Sequence, residues 1–134
     1  MNAATKRPTI RNLDLPQLMK YRLPAAGILS ILHRVSGALM FLLLPFALWL
    51  FDMSLTSEIS FERLVAAASN PLVKLVAAGL AWALIHHCCA GIRFLLLDLH
   101  IGVDKVRSRR SALVVFGVSL PLAAIVALKI FGAF

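Results

Sequence analysis

Charged residues are scarce in this sequence of 134 residues: they make up only 15% of it, and only six residues are Asp or Glu. Hydrophobic residues account for 60% of the chain. A soluble domain of this length buries about two thirds of its surface, which is too little to hide so many apolar side chains. The scarcity of charge therefore excludes an ordinary soluble domain, and the length excludes a pair of them.

Motifs for catalysis and for covalent cofactor attachment are also missing. The two cysteines, Cys88 and Cys89, are adjacent, so they cannot form an ordinary disulfide with each other. They follow two histidines instead of preceding one, so the C-x-x-C-H motif for covalent haem attachment is absent. The sequence contains no nucleophile–base pair, glycine-rich phosphate loop or zinc-ligand spacing. Any haem would therefore be bound non-covalently, as a b-type haem.

Three long apolar runs dominate the chain, and each contains a single charged residue. A membrane-spanning helix needs about 20 mostly apolar residues, and every run is longer than that. The sequence therefore predicts one all-α domain, an integral membrane protein with three transmembrane helices. The predicted spans cover about residues 23–51, 72–98 and 111–133.

The net charge of +8 is concentrated beside these runs. Basic residues cluster in residues 1–22 and between the second and third runs, whereas acidic residues collect between the first and second. Loops rich in Lys and Arg stay in the cytoplasm, so residues 1–22 form a cytoplasmic arm. This arrangement argues against binding of nucleic acid, which needs a basic face on a soluble fold.

A bacterial inner membrane is the expected location. The arm has no Ser and two prolines, Pro8 and Pro16, so it makes a poor amphipathic targeting helix for mitochondria. A mitochondrial inner membrane is the alternative. Because three helices alone form a thin bundle, we expect protein partners as well as lipid around them.

Local signals mark the ends of the helices. Asn70 followed by Pro71 is typical of a helix start and predicts the beginning of the second span. Ser60 predicts the start of a short surface helix in the outer loop. Pro45 and Pro121 lie within the first and third spans, where we expect kinks.

Arg34 lies about nine residues into the first run, where an ionisable side chain costs roughly 3 kcal/mol. Ser30 lies four residues before it and therefore on the same helix face. Together they could grip a carbonyl oxygen or a carboxylate from inside the bundle; alternatively, Arg34 extends to the headgroups. His33 adds a third polar group, and Gly37, one turn further on, leaves room for something flat.

His86 and His87 lie in the middle of the second run. Histidine at that depth can relay protons, join helices by hydrogen bonds or bind a metal, and all three roles remain open. Gly91 lies one turn from His87 on the same face, where a macrocycle beside a ligating histidine would need a small residue.

Asp98 lies at the inner end of the second span. Its carboxylate could pair with Arg93 or Lys105, or it could admit protons. The residue pattern favours the structural role and leaves the second role open.

Two motifs resemble those of a known family. Residues 30–37 read Ser-Ile-Leu-His-Arg-Val-Ser-Gly, and residues 87–93 read His-x-x-x-Gly-Ile-Arg. Both are similar to motifs in the cytochrome b anchor subunits of succinate dehydrogenase, respiratory complex II. Arg7-Pro8 and the Asn-Leu-Asp-Leu sequence at 12–15 extend the resemblance to the N-terminus. It covers essentially the whole chain.

This resemblance implies specific roles. His87 would be an axial ligand of haem b, with the second axial histidine supplied by a smaller anchor subunit. Ser30 and Arg34 would line the ubiquinone site, and His33 and Arg34 would lie near the haem propionates. FAD and iron–sulfur clusters would be held by the flavoprotein and iron–sulfur subunits, which pass electrons from succinate toward quinone.

Other functions remain as alternatives. The anchor of a fumarate reductase would run the same electron transfer in reverse. A small non-redox membrane protein would use its histidines only to pack helices.

Phe94 also stands where many bacterial relatives have His, so a role for that histidine does not transfer to this chain.

Overall fold

A computed structural model describes residues 23–133, and no strand occurs within that range. Its helices are α1 (Ala25–Thr56), α2 (Glu58–Ala68), α3 (Pro71–Asp98) and α4 (Lys105–Phe131). Three of them, α1, α3 and α4, are long and apolar enough to cross a membrane. The predicted all-α class with three spans is thus confirmed. The predicted cytoplasmic arm, residues 1–22, lies outside the described residues.

Helices α3 and α4 begin at side chains that accept hydrogen bonds from their first turns. Asn70 Oδ1 accepts from the backbone N–H of Leu72 at 2.8 Å, and Pro71 is the first helical residue. The predicted start of this helix is confirmed. In α4, Asp104 Oδ1 accepts from two backbone N–H groups at 3.1 and 2.9 Å. This cap begins α4 at Lys105, six residues before the predicted apolar span.

The short surface helix predicted in the outer loop is present as α2. It is preceded by Ser57, whose Oγ accepts from the backbone N–H of Ser60 at 3.1 Å. The Ser60 hydroxyl in turn accepts from the Ser57 backbone N–H at 3.1 Å. This reciprocal cap satisfies two N–H groups that a helix start leaves unpaired. Ser60 is therefore the third residue of the helix and not its first.

Long helices that follow one another along the chain run antiparallel and meet through small side chains. Within residues 23–133, four of the six buried hydrophobic residues are alanines. The buried hydrophobic residues are Leu29, Ala83, Ala90, Ala112, Val115 and Ala123. Lipid tails are as apolar as Leu, so helices in a membrane associate mainly by close packing, which small residues allow. The interfaces among α1, α3 and α4 follow this rule.

Much of the apolar surface is not covered by the chain itself. In the most apolar 18-residue stretch of α1, no residue is buried. Phe41 and Leu42 are 75% and 74% exposed. Such a surface is stable only against lipid or a partner. The fold therefore leaves one side of α1 available for contacts outside this chain.

Arg93 joins α3 to α4 near the end of α3 that faces the loop between them. Its guanidinium donates to Ser111 Oγ at 2.9 Å, and to the backbone oxygen and Oγ of Ser108 at 3.1 and 2.9 Å. The side chain is only 5% exposed. The expectation that Asp98 pairs with Arg93 or Lys105 is wrong. Asp98 is exposed, and the ion pair found within residues 23–133 joins Arg107 to Asp104.

Replacing Ser111 with Ala should destabilise the protein, because it leaves the buried Nε–H of Arg93 without its acceptor. The expected loss is about 1–2 kcal/mol, between the average for interhelical bonds in membranes and that for bonds to charged groups. Unfolding of the purified protein in mixed detergent and SDS micelles measures it. Ser69→Ala is the matched control, since the Ser69 hydroxyl donates to the backbone oxygen of Val65 at the end of α2 and joins no other helix in the described part of the chain. Equal stability of both variants would contradict this role of Arg93.

Candidate functional site

The site is built where a side chain of α3 lies against the backbone of α1, at Gly37. A Cβ atom at Gly37 would lie 2.8 Å from Cε1 of His87, closer than real side chains tolerate. Glycine at this position therefore lets the His87 imidazole lie directly against the backbone of α1. The sequence predicted room for a flat group beside Gly37, and the His87 ring occupies that space.

The His87 ring is held by the backbone of α1. Its Nδ1 lies 3.0 Å from the carbonyl oxygen of His33 and 3.2 Å from Oγ of Ser36. A carbonyl oxygen can only accept, so Nδ1 carries the proton and donates it. In the neutral ring with this tautomer Nε2 carries no proton; it makes no hydrogen bond with the described residues and is not fully buried. The ring thus presents one free lone pair to a ligand outside the three helices.

His33 packs face to face on His87. Their ring centroids are 4.2 Å apart and their planes differ by 12°. Phe94 contacts the His33 ring at 5.0 Å between centroids. A Cβ at Gly91 would lie 3.6 Å from Nε2 of His33, an ordinary contact. The two glycines therefore serve different rings: Gly37 admits His87, and Gly91 faces His33.

His86 is adjacent in sequence but enclosed on another side of α3. It is 1% exposed, and both its ring nitrogens lack a hydrogen-bond partner within the described part of the chain. Trp82 and Phe116 pack against its ring, each with centroids 5.5 Å away. Successive helical residues are rotated by about 100°, so the two histidines face different neighbours. The ring nitrogens of His86 are fully buried, so of the two histidines His87 is the one that is open to a ligand.

Ser30 and Arg34 lie one turn apart on α1, as the sequence predicted. Ser30 is half-buried, but the Arg34 side chain is exposed. The expectation that Arg34 faces the interior of the bundle is therefore wrong for these three helices. It lies on the outside, next in sequence to His33, where a ligand or partner subunit can reach it.

Three serines with a role in this region were not singled out from the sequence. Ser36 belongs to the first motif but was given no function, and Ser108 and Ser111 were not considered partners of Arg93. A signal existed for Ser36, since a hydroxyl three residues after His33 is placed to bond its carbonyl oxygen. The partners of Arg93 depend on the pairing of α3 with α4, which no local pattern reveals.

Replacing Gly37 with Ala should disrupt the site, because the added Cβ overlaps the His87 ring. Overpacking of this kind costs about 1–3 kcal/mol. Thermal unfolding of the detergent-purified protein should show the loss. Gly117→Ala is the matched control: nothing lies within 4 Å of a Cβ there, so its stability should be unchanged or slightly higher. A Gly37→Ala variant as stable as that control would show that the rings do not pack so closely.

Comparison with known sequences adds independent findings. The family model described as succinate dehydrogenase/fumarate reductase transmembrane subunit matches residues 8–126. A protein of Coxiella burnetii is 39% identical over 120 residues, which cover 89% of this chain and 90% of that protein. One from Paracoccus denitrificans is 28% identical over 116 residues, 87% of this chain and 89% of the relative.

A third similar protein comes from Rickettsia felis. It is 30% identical over 97 residues, which cover 72% of this chain and 71% of that protein. All three proteins carry the name succinate dehydrogenase cytochrome b556 subunit. The similarity thus extends over both motifs and all three long helices.

Proposed function

Because the chain belongs to the family of succinate dehydrogenase/fumarate reductase transmembrane subunits, we propose that it is the cytochrome b anchor of a succinate:quinone oxidoreductase. The names of the three relatives favour succinate oxidation over fumarate reduction as the direction. All of them are bacterial proteins, which supports a bacterial inner membrane. Segments rich in Lys and Arg stay on the cytoplasmic side of a membrane. Residues 1–22 and the loop between α3 and α4 therefore face the cytoplasm.

The observation that carries the proposal is the hydrogen bonding of the two ring nitrogens of His87. Histidines that bind metals commonly donate their other ring N–H to a backbone carbonyl, which fixes the tautomer and the ring orientation. His87 has this arrangement, with Nδ1–H on the His33 carbonyl and Nε2 left free. A single nitrogen suits a metal that is already held by a macrocycle. His87 is therefore our candidate for the axial ligand of haem b.

The surroundings of His87 fit a haem. Gly91 has no side chain to fill the space beside His33. The most apolar stretch of α1 is not covered by other parts of this chain. The second axial histidine would come from the small anchor subunit, packed against this open side. His33 and Arg34 would hold the propionates. Bound there, haem b supplies a one-electron redox centre whose potential depends on its axial ligands and their hydrogen bonds.

Ser30 and Arg34 are the candidates for the ubiquinone site. They lie about 8 and 14 Å from the first residue of α1, at a rise of 1.5 Å per residue. This depth is in the inner half of the bilayer, below a docked iron–sulfur subunit. The Ser30 hydroxyl and the Arg34 guanidinium can donate hydrogen bonds to quinone oxygens. The positive charge of Arg34 stabilises the negative charge that develops on such an oxygen during reduction.

The two proposed sites are contiguous. His33 stacks on His87, and Arg34 is the next residue of α1. The flavoprotein subunit would hold FAD and oxidise succinate, and the iron–sulfur subunit would deliver the electrons to this region. The anchor itself makes or breaks no carbon bond. Its residues bind and orient the two redox partners.

Replacing His87 with Ala should remove the haem, because the imidazole whose Nε2 is proposed to bind the iron is lost. The reduced-minus-oxidised visible spectrum of the tagged complex, normalised to its flavin content, measures this. His86→Leu and Cys88→Ala are controls that should retain the b-type band. The apolar exchange at His86 should be tolerated because its nitrogens have no partners to lose. A normal band in His87→Ala, or loss of the band in His86→Leu, would refute the assignment.

Replacing Arg34 with Ala should lower succinate-dependent quinone reduction by about tenfold to a hundredfold, the effect of losing one charged hydrogen bond. Succinate oxidation by an artificial dye that accepts electrons from the soluble subunits should continue. Arg110→Ala is the matched control, because this exposed arginine lies outside the proposed site. Intact quinone reduction in Arg34→Ala would show that quinone binds elsewhere.

A further inference from the structure

Ser36 is a buried hydroxyl in the contact between α1 and α3. It is 6% exposed. Its Oγ donates to the carbonyl oxygen of His33 at 3.0 Å and lies 3.2 Å from Nδ1 of His87. The sequence motif at residues 30–37 gave this hydroxyl no function, and the proposed haem and quinone sites do not use it.

The geometry gives the His87 N–H two acceptors. One is the His33 carbonyl at 3.0 Å, and the other is the Ser36 oxygen at 3.2 Å, whose own proton points to that carbonyl. A ring held by one acceptor can swing about that hydrogen bond. Two acceptors, with the backbone of Gly37 against Cε1, restrict this motion. The stacked ring of His33 restricts only movement out of the plane.

We infer that Ser36 is a positioning residue for His87, fixing the direction in which Nε2 points. This inference rests on the proposed function, since it assumes that Nε2 binds the haem iron. Loss of such an outer partner typically lowers metal affinity by about 10- to 100-fold. Ser36 would therefore govern how firmly haem is retained, without touching it.

The test compares four forms of the complete complex: the unchanged protein, Ser36→Ala, Ser36→Thr and Ser119→Ala. Ser119 is the matched control because it is fully buried on α4 and its hydroxyl makes no hydrogen bond with the residues that the structure describes. The first measurement is the rate at which ferric haem passes to excess apomyoglobin. The second is the largest g value of the low-spin ferric haem in electron paramagnetic resonance, which reports the orientation of the axial rings.

Ser36→Ala should lose haem at least about tenfold faster and show a shifted or broadened signal. Ser36→Thr keeps the hydroxyl and should restore both properties, and Ser119→Ala should match the unchanged protein. If Ser36→Ala fails to assemble, Ser36→Cys replaces it, because a thiol is a weak hydrogen-bonding group. It should change both measurements in the same direction.

Two kinds of failure can be told apart. If His87→Ala loses haem but Ser36→Ala or Ser36→Cys behaves like the unchanged protein in both measurements, the role of Ser36 is overturned and the haem assignment stands. If His87→Ala retains its haem, or the unchanged complex contains none, the haem assignment in the proposed function fails and the role of Ser36 fails with it.

Discussion

The contact on which the site depends is the approach of the His87 imidazole to the backbone of α1 at Gly37. The hydrocarbon core offers no water, so a ring N–H at this depth must find an acceptor within the protein. The acceptor is the His33 carbonyl, whose second lone pair remains available inside a helix. Any side chain at position 37 would hold the ring away from this oxygen. A change at position 37 would therefore disturb the hydrogen bond, the ring stack and the helix spacing at the same time.

Helix α3 presents different chemistry to its two neighbours. Toward α1 it presents His87, which is anchored through one nitrogen and open at the other. On its other faces it carries His86 and Arg93, which are both buried. The arginine satisfies its donors on serine oxygens, whereas His86 is surrounded by aromatic rings. The α4 side is therefore closed by packing and hydrogen bonds, whereas much of the apolar surface of α1 stays uncovered by this chain.

Sequence reasoning succeeded where the signal is local. The three spans follow from runs of apolar residues, and the start of α3 follows from Asn70 and Pro71, whose effect is confined to one helical turn. The family assignment, carried by two short motifs, is confirmed by the match over residues 8–126. The reasoning failed for Arg34, which was expected inside the bundle but is exposed. Helical spacing relates Arg34 to Ser30 and contains no information about which face meets α3.

The solvent in which this protein folds, the number of its long helices and its candidate ligand residues could be predicted from the amino-acid sequence. These properties depend on composition and on neighbours within a few positions. Helix packing selects the nitrogen of His87 that stays free, because the hydrogen-bond partner of the other nitrogen lies 54 residues away on another helix. It also separated His86 from His87 by burying one ring against α4. The physical reason is that both choices depend on the register between packed helices, which is set by side chains interlocking across the interface and not by any pattern along one helix.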